Sequence, residues 1–145
     1  MSLFSVLSVS ASGMAAQRTR AALLVENLAN SETTRTPDGG PYRRRDAVFS
    51  SQQVGSAFAS EFQSQLGGEM TGVRVDGITV DTREPESKYM PGHPDADANG
   101  YVAMPRVNPA EDMVDLMSAS RSYQANVSAM SAVKDMIQRS IDLLK

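Results

Sequence analysis

Residues 108–145 form the stretch NPAEDMVDLMSASRSYQANVSAMSAVKDMIQRSIDLLK, which decides the fold of this chain. Asn108 is a favourable N-cap, Pro109 suits the first helical position, and Glu111 stands where a capping box places its carboxylate. No Gly or Pro follows Pro109. The stretch therefore predicts one helix of about 54 Å. This exceeds the diameter of about 40 Å that a compact domain of this size would have.

An apolar stripe runs along this predicted helix, at alternating steps of three and four residues. Only Ser120 and Lys134 interrupt it. Its members are Met113, Leu116, Tyr123, Val127, Met130, Ile137, Ile141 and Leu144. A heptad repeat sustained in this way is typical of a coiled-coil seam. Because the helix is too long for a compact domain, we expect part of its stripe to be covered by another helix or another subunit.

The N-terminal region, residues 1–33, predicts a second long helix with a similar stripe, interrupted at Arg18. The stripe consists of Phe4, Leu7, Ala11, Met14, Ala21, Val25 and Leu28. Gly13 weakens this helix by about 1 kcal/mol relative to Ala. We predict that the two terminal helices pair as a coiled coil. The alternative is an antiparallel helical hairpin packed on a small globule.

Residues 34–107 predict a loop followed by a small β-rich insert. Pro37-Asp38-Gly39 is typical of a turn. Residues 73–80 alternate apolar and polar, which indicates a strand, and Gly77 indicates a bulge within it. Residues 101–104 predict a short partner strand. The predicted fold class is therefore mainly α, with long N- and C-terminal helices and this small β-rich insert between them. Residues 108–145 form the C-terminal helix.

The composition excludes several classes of protein. The chain has 145 residues, a formal net charge of −3 and no cysteine. Disulfides and thiolate metal sites are thus excluded, and the mild acidity argues against nucleic acid as the main partner. The longest fully apolar run, residues 21–25, is too short for a secretory signal or a membrane span.

The segment Asp95-Ala96-Asp97-Ala98-Asn99-Gly100 matches the first half of an EF-hand calcium loop. The twelfth position, however, is Arg106 where calcium needs a carboxylate. The alternative is a tight Asx turn, in which Gly100 takes a positive φ. The only histidine, His93, predicts a structural hydrogen bond rather than a metal site or a catalytic triad. We expect no enzyme activity, no metal and no cofactor.

The sequence leaves open the role of three consecutive arginines, Arg43, Arg44 and Arg45. They have the charge to contact nucleic acid, an anionic surface or acidic residues on a partner subunit. The remaining interpretation is a solvated loop edge. We favour a loop edge or a subunit contact, because the rest of the chain is acidic.

Several longer motifs resemble a known family. They are SGMAAQRTR at 12–20, NLAN at 27–30 with Thr33-Thr34, TRTPDGGPYRR at 34–44, PGHPDAD at 91–97 followed by GYV at 100–102, and SASRSYQAN at 118–126. Together they resemble the bacterial flagellar rod and hook axial proteins, and within that family the proteins of the proximal rod. The resemblance covers nearly the whole chain and thins between residues 50 and 72. Its signature residues are Asn27, Asn30, Thr33, Pro91, His93, Asp95, Asp97, Gln124 and Asn126.

The resemblance implies a structural subunit of the periplasmic rod that transmits torque. Such proteins are exported by the flagellar type III apparatus without a cleaved signal, and they polymerise as a helical tube around a channel. The implied partners are copies of the chain and other rod, adaptor and export-gate proteins. Two alternatives remain: a small calcium-binding module and a cytoplasmic coiled-coil adaptor.

Overall fold

A computed structural model describes residues 3–53 and 71–143, apart from the side chains of Leu3 and Phe4. The elements in chain order are α1 (Leu3–Ala29), β1 (Arg45–Gln53), β2 (Thr71–Val80), β3 (Glu86–Tyr89), β4 (Tyr101–Met104) and α2 (Pro109–Asp142). Two long terminal helices with a small β insert between them are thus confirmed. The predicted contacts of Phe4 and Leu144, and the whole segment between β1 and β2, lie outside the described residues.

The start of α2 follows the local signals in the sequence. Asn108 is the N-cap, and its side-chain oxygen accepts a hydrogen bond of 3.2 Å from the backbone N–H of Ala110. Pro109 occupies the first helical position, where its missing N–H leaves no intrahelical bond unmade. Glu111 and Asp112 place negative charge in the first turn, which complements the helix dipole.

The two helices pack side by side in opposite directions. Gly13 of α1 lies against Asn126 of α2, whereas Arg20, further along α1, lies 3.3 Å from Asp115, earlier in α2. The contact at Gly13 is close, because a Cβ added there would stand 3.1 Å from Nδ2 of Asn126. A residue without a side chain therefore allows the helices to approach each other at this point.

The buried line of α2 consists of Asp112, Ala119 and Val133. These positions are separated by multiples of seven residues, so they lie on one side of the helix. Met113 of the predicted stripe lies one residue after Asp112. Val127 and Ile141 are likewise one residue after positions of this buried series, which repeats every seven residues. The coiled-coil register therefore stays a prediction, although the side-by-side packing of the two helices is present.

Strands β1 and β2 form an antiparallel ribbon that packs on α1. Val48 pairs with Gly77 and Phe49 pairs with Val75, so Asp76 is the extra residue of a bulge. The predicted strand and its bulge beside Gly77 are thus confirmed. The ribbon is bonded to α1 through Ser12, whose hydroxyl oxygen accepts a 3.1 Å hydrogen bond from the backbone N–H of Val73.

Strands β3 and β4 form a second antiparallel pair. Residues 101–104 are a strand, as predicted, but their partner is β3 rather than the strand at 73–80. The physical reason is that the intervening loop folds back on itself, since closing a short local loop costs less entropy than a long one. Tyr89 and Tyr101 face each other across this hairpin, with their rings 5.3 Å apart and edge to face.

Candidate functional site

An apolar groove runs along one side of the helix pair, and we call it the interhelical groove. Its volume is about 600 Å³. It is lined by apolar Leu7, Met14, Tyr123, Val127, Met130, Ile137 and Ile141, and by Ser131, Lys134 and Gln138. All seven apolar residues belong to the two stripes that the sequence predicts as a helix-packing or subunit interface. The fold thus brings the two stripes together on the same side of the pair.

Within the described residues, no member of the two stripes is fully buried. Tyr123 is 42% exposed, Val127 40% and Ile141 53%, and Met113 and Val25 are also about half exposed. Six further members are partly buried: Leu7, Met14, Leu28, Leu116, Met130 and Ile137. A contiguous apolar surface of this kind is typical of an interaction site.

The end of α1 is joined to the insert by one buried side chain, that of Asn27. Its Nδ2 donates to the carbonyl of Arg45, and its Oδ1 accepts from the backbone N–H of Arg45, both at 2.9 Å. Oδ1 also accepts a 2.9 Å hydrogen bond from the hydroxyl of Tyr42. Asn27 is 0% exposed. Its amide pairs with both backbone hydrogen-bonding groups of Arg45, as a neighbouring strand would. This explains the first of the signature residues.

Asn30 and Thr33 shape the loop that follows α1. The Asn30 amide donates to the carbonyl of Glu26 at 2.9 Å and so caps the end of the helix. The Thr33 hydroxyl donates to Oδ1 of Asn30 at 3.2 Å, and its carbonyl accepts from the backbone N–H of Tyr42 at 3.0 Å. Through these bonds the loop folds back, so that Thr33 lies beside Tyr42. Burial and the negative charge of Glu26 raise the pKa of Tyr42.

The three consecutive arginines contact three different parts of the chain. Arg43 donates to the carbonyl of Asp81 at 3.1 Å, and Arg45 pairs with Glu26 of α1 at 2.8 Å. Arg44 lies 2.6 Å from Asp112 of α2 and also binds Asp46 at 3.1 Å. Arg44 and Arg45 therefore join the insert to α2 and α1. Arg43 and Arg45 are nevertheless exposed, so a loop-edge position or a subunit contact stays a prediction for them.

Asp112 is a residue that the sequence interpretation missed. Its side chain is 0% exposed, and Arg44 is the cation that neutralises it. Burial raises the pKa of Asp112, while the nearby Arg44 acts in the opposite direction. A signal for its burial exists in the sequence, since Asp112 lies seven residues before Ala119 and fourteen before Asn126, on the side of α2 that faces α1.

His93 and Asp95 connect the insert loop to the loop after α1. His93 accepts a hydrogen bond at Nδ1 from the backbone N–H of Asp95 at 3.2 Å, so its predicted structural role is confirmed. The Asp95 carboxylate accepts from the Thr34 hydroxyl at 2.8 Å and lies 3.6 Å from Arg35. Two motifs distant in sequence, 34–44 and 91–97, are therefore in direct contact.

Asp97 forms the Asx turn that was the alternative to a calcium loop. Its Oδ1 accepts from the backbone N–H groups of Asn99 and Tyr101, both at 2.8 Å, and Gly100 has a φ of 81°. A Cβ at Gly100 would stand 3.0 Å from the Tyr89 ring and 3.2 Å from Pro91. The Asx turn is confirmed. The Asp97 carboxylate binds its own loop and the Asp95 carboxylate binds the loop after α1, so the two are not directed at a common centre.

The two remaining signature residues lie on α2. Asn126 faces Gly13 and donates from Nδ2 to the carbonyl of Ser122 at 3.0 Å. Gln124 is exposed. Within the described ranges, His, Asp and Glu side chains nowhere gather in the groups of three that would hold a metal ion. Neither described helix has the length and hydropathy needed to cross a membrane.

The comparisons with known proteins agree on one family. The family described as "Flagellar basal body rod FlgEFG protein C-terminal" matches residues 98–143, which contain β4 and α2. The flagellar basal-body rod protein FlgC of Bacillus subtilis is 43% identical to this chain, over 100% of both proteins. FlgC of Borreliella burgdorferi is 40% identical over 100% of the chain and 99% of the relative. FlgC of Salmonella typhimurium is 41% identical over 99% and 98%.

Proposed function

Since this chain belongs to the FlgC family of flagellar basal-body rod proteins, we infer that it is a structural subunit of the rod of the bacterial flagellar basal body. Identities near 40% extend over nearly the full length of both proteins, so the inference concerns the whole chain. The alternatives of a calcium-binding module and of a cytoplasmic adaptor find no support. We propose a role in assembly that requires neither catalysis nor a cofactor.

The observation that carries the mechanism is the interhelical groove. Seven apolar side chains line a groove of about 600 Å³ that the described part of the chain leaves open. At about 25 cal/mol per Å² of apolar surface buried, covering such side chains would contribute favourable free energy to association. We propose that copies of this chain and neighbouring rod, adaptor and export-gate proteins cover it in the assembled rod.

The proposed assembly is a helical tube in which the helix pair forms the inner layer and the β insert lies outside. Head-to-tail contacts whose rotation does not close generate a helical filament. The two stripes would then be completed as coiled-coil seams between subunits. Such a tube would transmit torque and surround an export channel.

Folding of the terminal helices would be coupled to assembly. The buried apolar residues of the described chain are few: Ala16, Leu23, Leu24, Tyr42, Val102, Ala119 and Val133. Ordering each residue costs about 1–2 kcal/mol in backbone entropy, so a helix end with little burial frays until a neighbour covers it. We propose that this leaves the chain competent for export through the flagellar type III apparatus, without a cleaved signal, to the periplasm.

A charge placed in the groove tests the proposal. The substitution Val127→Asp introduces a carboxylate among the apolar lining, and we expect it to abolish incorporation into basal bodies and swimming in soft agar. The matched control is Ser128→Asp, one residue further along α2 and exposed outside the groove. Both variants are expressed in a strain that lacks its own copy of the gene, and protein levels are compared by immunoblot.

Two outcomes would contradict the proposal. Normal incorporation of the Val127→Asp chain would show that the groove is not covered in the rod. Failure of the wild-type chain to cofractionate with basal bodies would remove the rod assignment itself. Hydrogen exchange adds an independent measurement, since the amides of residues 123–141 should be weakly protected in the purified chain and strongly protected in isolated basal bodies.

A further inference from the structure

Asn99 has the least restrained side chain of any asparagine in this protein. It is followed by Gly100, and no other asparagine of the chain precedes a glycine. Glycine has no Cβ to hinder attack by its backbone nitrogen on the preceding side chain. Asn99 is exposed, and no residue that the structure describes forms a hydrogen bond with its side-chain amide. Because asparagine is one of the thermolabile residues, this position invites chemical modification.

The other four asparagines are each restrained. Asn27, Asn30 and Asn126 donate from Nδ2 to backbone carbonyls at 2.9, 2.9 and 3.0 Å, respectively. Asn108 precedes Pro109, whose backbone nitrogen carries no hydrogen that it could give up. Among the described residues, which include every asparagine of the chain, one asparagine side chain is therefore left without a hydrogen-bond partner.

Asp97 holds the backbone on both sides of this free amide. Its carbonyl accepts a 3.0 Å hydrogen bond from the backbone N–H of Gly100. Its Oδ1 accepts from the backbone N–H groups of Asn99 and Tyr101, both at 2.8 Å, and its own N–H donates to the Tyr101 carbonyl at 2.8 Å. Before the Gly100 nitrogen can reach Cγ of Asn99 it must leave its hydrogen bond, so the turn has to open first.

We propose that Asn99 is a deamidation site and that Asp97 protects it in the folded chain. In the reaction, the backbone nitrogen of Gly100 forms a bond to Cγ of Asn99, the bond from Cγ to Nδ2 breaks, and ammonia leaves with the proton of the backbone nitrogen. Water then opens the cyclic imide: cleavage at Cγ gives aspartate, and cleavage at the backbone carbonyl carbon gives isoaspartate. The reaction goes beyond the proposed function and does not depend on it.

Isoaspartate at this position would disturb the hairpin of β3 and β4. It adds a carbon atom to the main chain directly before Gly100, which has little room to move, because a Cβ there would stand 3.0 Å from the Tyr89 ring and 3.2 Å from Pro91. The φ of Gly100, 81°, also depends on the present course of the turn. We expect chains with isoaspartate to lose hydrogen-exchange protection in β3 and β4, whereas Asn99→Asp, which keeps the main chain, should retain it.

Ageing of the full-length chain tests the proposal. The chain is incubated at mildly alkaline pH, either folded in buffer or unfolded in guanidinium chloride. Trypsin then releases residues 89–106, a peptide in which Asn99 is the one asparagine, and mass spectrometry measures its conversion. We expect conversion to be at least about tenfold faster in the unfolded chain. No conversion in guanidinium chloride would show that Asn99 is not a deamidation site, and equal rates would show that the turn does not protect it.

Substitution of Asp97 isolates its protecting role. Asp97→Ala removes the Oδ1 acceptor, so Asn99 should convert several times faster in this folded variant than in the wild-type chain. The matched control is Asp97→Asn, which keeps an Oδ1 able to accept the same two hydrogen bonds and should convert at Asn99 at the wild-type rate. Hydrogen exchange of the β3 and β4 amides shows whether each variant keeps its hairpin. A folded Asp97→Ala chain that converts no faster than wild type would overturn the role of Asp97.

Discussion

Arg44 and Asp112 form an ion pair inside the molecule, with Nη1 of the arginine 2.6 Å from Oδ1 of the aspartate. The arginine precedes β1 and the aspartate lies in the first turn of α2. The pair therefore joins the insert to the C-terminal helix. Arg45 joins the insert to α1, through its contacts with Glu26 and Asn27. These contacts fix the insert relative to the helix pair, which a subunit needs if force is to pass through it.

We expect Arg44→Met to destabilise the chain by about 3–5 kcal/mol at neutral pH, because it leaves the Asp112 carboxylate buried without its cation. Asp112→Asn should cost less, since Arg44 keeps Asp46 as a partner. Thermal unfolding followed by circular dichroism measures both. Equal losses from the two substitutions would show that the buried carboxylate is not the sensitive member of the pair.

The same pair predicts a dependence on pH. Burial raises the pKa of Asp112 above its value in the unfolded chain, so the folded state binds this proton more readily. Its contribution to stability is thus fully present below the unfolded pKa and is lost as pH rises through the folded pKa. In Arg44→Met the cation no longer opposes this effect, so the variant should regain stability relative to wild type as pH is lowered. A stability difference that is independent of pH would contradict this.

Asn27→Ala should be among the most damaging single substitutions of a polar residue. It removes hydrogen bonds to both backbone groups of Arg45 and to the Tyr42 hydroxyl. Each buried group left unsatisfied costs about 1–3 kcal/mol, so we expect a loss of at least 3 kcal/mol in unfolding free energy. The control Asn30→Ala removes a cap within its own helix and a bond to Thr33, and should cost about 1 kcal/mol.

Ionisation of Tyr42 should lower the stability of the folded chain at alkaline pH. Its pKa is raised above 10.0 by burial and by the charge of Glu26, so the folded state holds the neutral phenol. The stability that this provides is present below about pH 10 and is lost as pH rises through the raised pKa. Tyr42→Phe should lower stability by about 1 kcal/mol at pH 7 and reduce the loss at alkaline pH. Phenolate absorbance should show a late-titrating component that this substitution removes.

The effect on stability of a substitution at Gly13 should depend on the size of the side chain at Asn126, which lies opposite it. Gly13→Ala gains about 1 kcal/mol of helix propensity, but the new Cβ would stand 3.1 Å from the Asn126 amide. We expect the single substitution to be close to neutral. Combined with Asn126→Ala, which opens the space, it should show its full gain relative to Asn126→Ala alone. Thermal unfolding of the four chains of this double-mutant cycle measures the coupling, and strict additivity would show that the two residues do not touch.

Ala129→Pro tests whether α2 must be continuous in the rod. Proline in a helix interior costs about 3 kcal/mol or more, and Ala129 lies in the middle of the groove segment. We expect incorporation and swimming to be lost, with Ala129→Ser incorporating normally. Rods that assemble with Ala129→Pro would count against a continuous helical inner layer.

Much of this fold can be predicted from local signals. The N-cap Asn108, the proline after it and the absence of later helix breakers define α2, and alternation with Gly77 defines β2 and its bulge. What the periodicity could not give is the side of each helix that faces the other. The stripe that contains Met113 and Val127 predicted the seam, whereas the buried residues of α2, such as Asp112 and Ala119, occupy positions one residue earlier in the seven-residue repeat.

By itself the sequence determined the helices, the turns and the presence of an apolar surface along each terminal helix. These depend on bonds and spacings within a few residues, which a linear pattern records. The tertiary structure alone decided how that surface is exposed, since this follows from contacts between distant residues: Gly13 with Asn126, Asn27 with Arg45, and Arg44 with Asp112. A buried charge such as Asp112 is tolerated only where its cation arrives from another part of the chain, and no local pattern specifies that meeting.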